Sequence, residues 1–234
     1  MSTPPPRPPG PTPPGGPTPP KRTPPGKPIP KVVVPRPAPA RKAPAWWMRA
    51  RRVLLEPRQE WAVVAPESAT LGSIYKGFLL PMAAIGPIAA TVGTIISGGQ
   101  HSSLSGTYTI SVIDAVTSGV LEYGLNLGAM YLLALTIAKV GEGMGSQGNV
   151  VQALKVAAYG STPYWLGGIV AILPKLSPLG ILAGLYSCRL FALGLVPVMK
   201  APEGKAGVYT LVTSVVGIML VLLISAILQI ILNN

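Results

Sequence analysis

Residues 206–232 read AGVYTLVTSVVGIMLVLLISAILQIIL, and no charged side chain occurs from Ala206 to Asn234. A helix rises ~1.5 Å per residue, so this run is long enough to cross the ~30 Å hydrocarbon core of a bilayer. A soluble fold would have to cover such a helix on every side. Further apolar stretches precede it at about 74–97, 112–139, 157–173 and 178–199, separated by polar or Pro/Gly-rich joints. The expected fold class is therefore all-α, a polytopic membrane helical bundle of five transmembrane helices, because a bilayer leaves no water to satisfy an open backbone.

Composition agrees. Charged residues make up 11% of the chain, mean hydropathy is +0.48 and the pI is near 10.1. The charge is uneven: up to Trp61 there are twelve Lys/Arg against Glu56 and Glu60, so +10 of the net +12 lies in the N-terminal quarter. A basic flank tied to apolar spans is the pattern of a membrane protein with that flank in the cytosol. Cys188 is the only cysteine, which excludes an internal disulfide and any cysteine-cluster metal site. The N-terminus has Pro, Thr and Gly where a signal peptide has its apolar core, so the first span is expected to direct insertion itself.

Residues 1–45 form a Pro-rich tract. Proline lacks the amide donor and fixes φ, so this segment is expected to be a disordered tether sampling polyproline II. It reads either as a basic spacer or as a ligand for a PxxP groove, through Arg7 with Pro8, Pro9 and Pro11. Attraction to anionic lipid adds ~1 kcal/mol per basic residue held near the surface. At 46–61, WWMRARRVLLEPRQEW sets Trp46, Trp47 and Trp61 among Arg49, Arg51, Arg52 and Arg58. Indole rings and guanidinium groups suit the headgroup zone, so these residues are expected to contact lipid from an interfacial amphipathic helix that ends near Glu56, before Pro57. The alternative is packing against the cytosolic face of the spans.

Residues 62–234 are the membrane domain. Pro81 and Pro87 should bend or open the first span. The polar loop that follows carries His101, the only histidine, read as solvated. The second span repeats Asp114, Ser118, Glu122 and Asn126 at every fourth position, and shows Gly124 and Gly128 at the spacing that permits close helix approach. In the third, Pro163 interrupts the ladder where Ser161 and Thr162 can offer hydrogen bonds. The fourth carries Gly180, Gly184 and a mid-span Arg189. The Gly-rich GEGMGSQG is read as a flexible joint. Lys139, Lys155, Lys200 and Lys205 fall on one side of five crossings, placing the N-terminus in the cytoplasm and the C-terminus outside, in a cell (inner) membrane.

With the spans placed, the sequence resembles the Yip family, multi-pass proteins first defined by interaction with Ypt/Rab GTPases, in its bacterial branch. The resemblance runs from Val53 to the C-terminus. It rests on RVLLEPRQEW, AYGSTPYW and VPVMKAPEGKAGVYT in that order, with Tyr159, Ser161, Pro163, Pro197 and Pro202 as motif residues. It implies a five-span helical domain with a cytosolic N-terminus. Eukaryotic members serve Rab binding and early secretory traffic, but a bacterial-type sequence lacks that machinery, so no trafficking role is carried over.

No His pair, cysteine cluster, GxxxxGK[ST] or nucleophile with a nearby base is present, so no catalytic or metal residue and no cofactor is expected. The basic, Trp-rich stretch abuts a span, which favours anionic lipid over nucleic acid as its polyanion. The informative anomaly is charge within the bilayer, which costs at least ~2.5 kcal/mol and favours pairing. Glu122 and Arg189 share a depth and are expected to pair, with Asp114, Asn126 and Tyr159 in one polar network. The primary expectation is a non-enzymatic membrane organiser that holds lipid or a protein partner through its basic N-terminal region, with homo-oligomers allowed. The alternative is a small transporter or lipid-handling protein built on the Glu122/Arg189 network.

Overall fold

A computed structural model describes residues 45–103, 106–173, 176 and 179–232, with Thr3 and Gly10 from the N-terminal tract. The body of the fold is residues 39–234. The disordered-tail and PxxP readings of residues 1–45 fall almost wholly outside the described residues.

The chain enters through α1 (Trp46–Leu55) and α2 (Pro57–Val64), which break at Glu56 as Pro57 requires. Proline suits the first helical position because its missing amide hydrogen has no partner there. α1 buries Arg49, Ala50 and Val53, and α2 buries Glu60, Trp61 and Val64.

The first long span, Leu71–Ile96, is assembled from pieces. Thr70 and Ser73 cap α3 (Leu71–Ile74) reciprocally, a π turn follows at Tyr75–Leu79, then α4 (Leu80–Ala83) and α5 (Ile85–Ile96). The wide turn lies where the ring of Pro81 would press on the carbonyl four residues back, and the break at Ala84 does the same for Pro87. The loop beyond it is not irregular. Gln100–Ser103 (β1) pairs antiparallel with Gly106–Thr109 (β2), Gln100 opposite Thr109. His101 lies in β1, and its side chain falls outside the described residues.

α6 (Val112–Met144) runs past the expected end at 139. Glycines cost ~1 kcal/mol each in a helix, but Gly141 closes against Tyr209, and the helix ends only at Gly145, whose φ is +83°. The joint that follows is tied down rather than flexible. α9 (Leu179–Met199) leaves its last carbonyls without helical partners, and Gln147 N–H donates to Met199 O at 3.0 Å, with the Ser146 hydroxyl and Gln147 amide on Met199 and Val198.

The third apolar stretch begins earlier than its hydropathy suggests. α7 (Val150–Gly160), capped by Asn149, is buried on every side from Ala153 to Gly160 and forms the centre of the bundle. Pro163 cannot donate to Tyr159 O, and the Thr162 hydroxyl takes that carbonyl at 2.6 Å. α8 (Thr162–Gly167) then passes into a 3-10 turn at Gly168–Ile172. Last comes α10 (Ala206–Leu232), packed on α6 and α9.

Four helices among the described residues are long and apolar enough to cross a membrane: Leu71–Ile96, Val112–Met144, Leu179–Met199 and Ala206–Ile231. The broken 150–172 run is not among them. Only 11% of the most apolar window of the last helix is buried, leaving Leu211, Ile218, Leu222 and Ile230 among its exposed side chains. A surface so apolar is compatible with lipid and not with water.

Candidate functional site

Two polar sites emerge from this scaffold. The first lies beneath α1 and α2. Arg49, 2% exposed, donates from Nη1 to Glu60 Oε1 at 2.8 Å and from Nη2 to Glu67 Oε2 at 2.6 Å. Its guanidinium also sits 5.3 Å from the centre of the Tyr159 ring, which packs edge-on against Phe78 and near Trp61. Lys155, 1% exposed, donates from Nζ to Val64 O at 3.1 Å and also to Glu67 O. Gln152 completes the clamp by donating to Ala65 O at 3.3 Å. The cluster binds the 64–67 turn to α7, with Gln152 Oε1 buried and left without a hydrogen-bond partner.

Two residues expected at the lipid interface are therefore corrected. Arg49 and Trp61 face inward, because α1 and α2 fold back onto α7 and α9. Trp61 is seated in a notch at Gly194, where an added Cβ would stand 2.7 Å from the indole. Trp46, Trp47, Arg51, Arg52 and Arg58 stay on the exposed face.

The second site lies within the bundle. Glu122 stands one helical turn from Asn126, which is 3% exposed. Both line a cleft of about 240 Å³ with Tyr164, Trp165, Gly86 and Gly168. A larger apolar cleft of about 470 Å³ between α6, α9 and α10 shares Asn126, Tyr164 and Gly180 with it.

The predicted single network does not form. Among the described residues no ion pair joins Glu122 to Arg189, which is exposed with its guanidinium 5.7 Å from the Tyr186 ring. Glu122 lines a cleft inside the bundle, whereas Arg189 lies on the exposed side of α9. Asp114 serves the start of α6, where the Ser111 hydroxyl donates to its Oδ2 at 2.7 Å. Tyr159 belongs to the Arg49 cluster. The fourfold spacing fails as a stripe because each step advances about 40° around a helix, so Asp114 and Asn126 end about 120° apart. Gly124 and Gly128 are exposed, with nothing within 4 Å of an added Cβ, so among the described residues no helix packs closely on them.

Of the motif residues, Ser161 is buried in the wall of the larger cleft and Pro163 makes the break after α7. Pro197 lies inside α9, and Pro202 O accepts from Lys205 N at 2.9 Å. Sequence reading missed Glu67 and Lys155. The signal for Lys155 was present: a lone cation inside VVQALKVAAYG is a charge surrounded by apolar neighbours, yet the span was begun at Ala157.

An apolar outer surface, membrane-length helices and a core that buries its charges define a polytopic helical membrane protein. The comparisons sharpen this. A family profile described as Yip1 domain matches residues 51–226, three quarters of the chain, and the chain belongs to the Yip1 domain family. It is similar to the inner membrane protein YohC of Escherichia coli K12, 28% identical over 143 residues, covering 59% of this chain and 72% of the relative. The YohC of E. coli O6:H1 matches to the same extent. No solved structure matches.

Proposed function

We propose that this chain is a non-enzymatic membrane organiser, set in a bacterial inner membrane and holding anionic lipid at its cytosolic face. The observation that carries the reading is the two-sided α1–α2 unit. Its inner face is locked by Arg49 and Trp61, while its outer face displays Trp46, Trp47, Arg51, Arg52 and Arg58. A preorganised face loses less freedom on binding than a flexible one. Native mass spectrometry of the purified full chain should show retained phosphatidylglycerol in preference to phosphatidylethanolamine. The variant R51Q/R52Q/R58Q should lose that preference, and unchanged retention overturns the reading. A protein partner for the basic tail and a second copy of the chain are further proposed partners.

The orientation proposed is N-terminus cytoplasmic and C-terminus outside, with the 150–172 run as the middle one of five crossings. Fusion of a reporter that fluoresces only in the cytoplasm to Asn234 should give dark cells; bright cells would refute the count or its direction.

The apolar cleft favours a second reading, lipid or amphiphile handling. Its volume is in the range of ligand pockets, and its walls carry a few polar groups among many apolar ones.

A further inference from the structure

The two clefts are neighbours with distinct linings. They meet at Asn126, Tyr164 and Gly180. In one stands the Glu122 carboxylate, with no cation paired to it among the described residues. An unpaired carboxylate in an apolar wall is costly, and a cation brought to it recovers that cost. Asn126 and Tyr164 line the same cleft, and each carries an oxygen able to accept. In the other the walls are apolar, with Met130, Leu133, Ile181 and Leu185 along the cleft. Ser214 lies in that wall, 8% exposed, with its hydroxyl unpartnered. Gly180 and Gly184 keep the α9 side open, since an added Cβ meets nothing within 4 Å at either.

Resting on the lipid-handling reading, we propose that the neighbouring clefts bind a single-chain amphiphile with a protonated primary amine head. The ammonium sits against Glu122 and Asn126, and the alkyl chain lies between α6, α9 and α10. An ammonium brings three donors and no acceptor, which matches a head site made of a carboxylate, an amide oxygen and a phenol. An anionic head is repelled by Glu122, and a neutral alcohol leaves the carboxylate unpaired.

The experiment uses the full chain in phosphatidylcholine nanodiscs, with a dodecylamine carrying a mid-chain diazirine and the corresponding dodecanol as probes. Saturable photolabelling by the amine should map to α9 and α10 peptides and be at least about tenfold stronger than labelling by the alcohol, since charge-assisted hydrogen bonds exceed neutral ones by that order. E122Q should bring amine labelling down to the alcohol level. G184L, and separately G180L, should abolish saturable labelling by both probes while the circular dichroism spectrum is retained. Equal wild-type labelling by amine and alcohol, or amine labelling indifferent to E122Q, overturns the head assignment and leaves the lipid-handling reading standing. Absence of saturable labelling by both probes in the wild type overturns both.

Discussion

Replacing Arg49 by alanine lowers the unfolding free energy of the detergent-solubilised chain by about 3–5 kcal/mol, the usual result of stripping the counter-ion from buried charge. Glu60 and Glu67 have side chains only 5% and 16% exposed, and the loss of Arg49 leaves the Glu60 carboxylate without its cation and Glu67 with only Lys155 close by. The Tyr159 ring loses its cation at the same time. The informative comparison is R49M/E60Q, which removes one cation and one carboxylate together and leaves Glu67 beside the buried Lys155. Replacing a buried ion pair by uncharged residues of similar volume is often neutral, so the double variant should be more stable than R49A alone. Chemical unfolding followed by circular dichroism measures both. An R49A variant within about 1 kcal/mol of wild type, the range of a surface pair, would remove the cluster from its structural role.

Trp61→Ala should cost a similar amount, about 3–5 kcal/mol, because it empties a fully enclosed site. The indole is 1% exposed, packs near Tyr159 and fills the notch at Gly194. The local consequence is release of α1 and α2 from α9. Trypsin reaches the exposed arginines 51, 52 and 58 only when their helices open, so W61A should be cut there much faster than wild type. Gly194→Leu alone should also destabilise, since an added Cβ would overlap three indole atoms within 3.0 Å. W61A/G194L refills the notch from the other side and should recover part of the loss. Strictly additive losses would show that the two positions do not share one contact.

Several features could be read from the chain directly. The last span was readable because crossing a bilayer demands about twenty apolar residues in a row, a one-dimensional property. The helix ends at Pro57 and the break at Pro163 followed from a missing donor, and Thr162 served as the replacement. Gly145 was another matter. The GEGMGSQG stretch looked flexible, yet the carbonyls at the end of α9 bind it, and those carbonyls come from fifty residues further on. The same distance hid the Arg49 cluster, whose partners lie eleven and eighteen residues along.

By itself, the sequence determined the solvent: a chain whose apolar runs outlast any core must lie in lipid. Only the tertiary structure decided which charges are inside and what they face. Depth along a helix follows from counting residues, but direction around it depends on where the neighbouring helices pack. Among the described residues Glu122 and Arg189 therefore form no pair, while Arg49 and Trp61 are drawn inward by α7 and α9 and the arginines on the other side of their helices stay exposed.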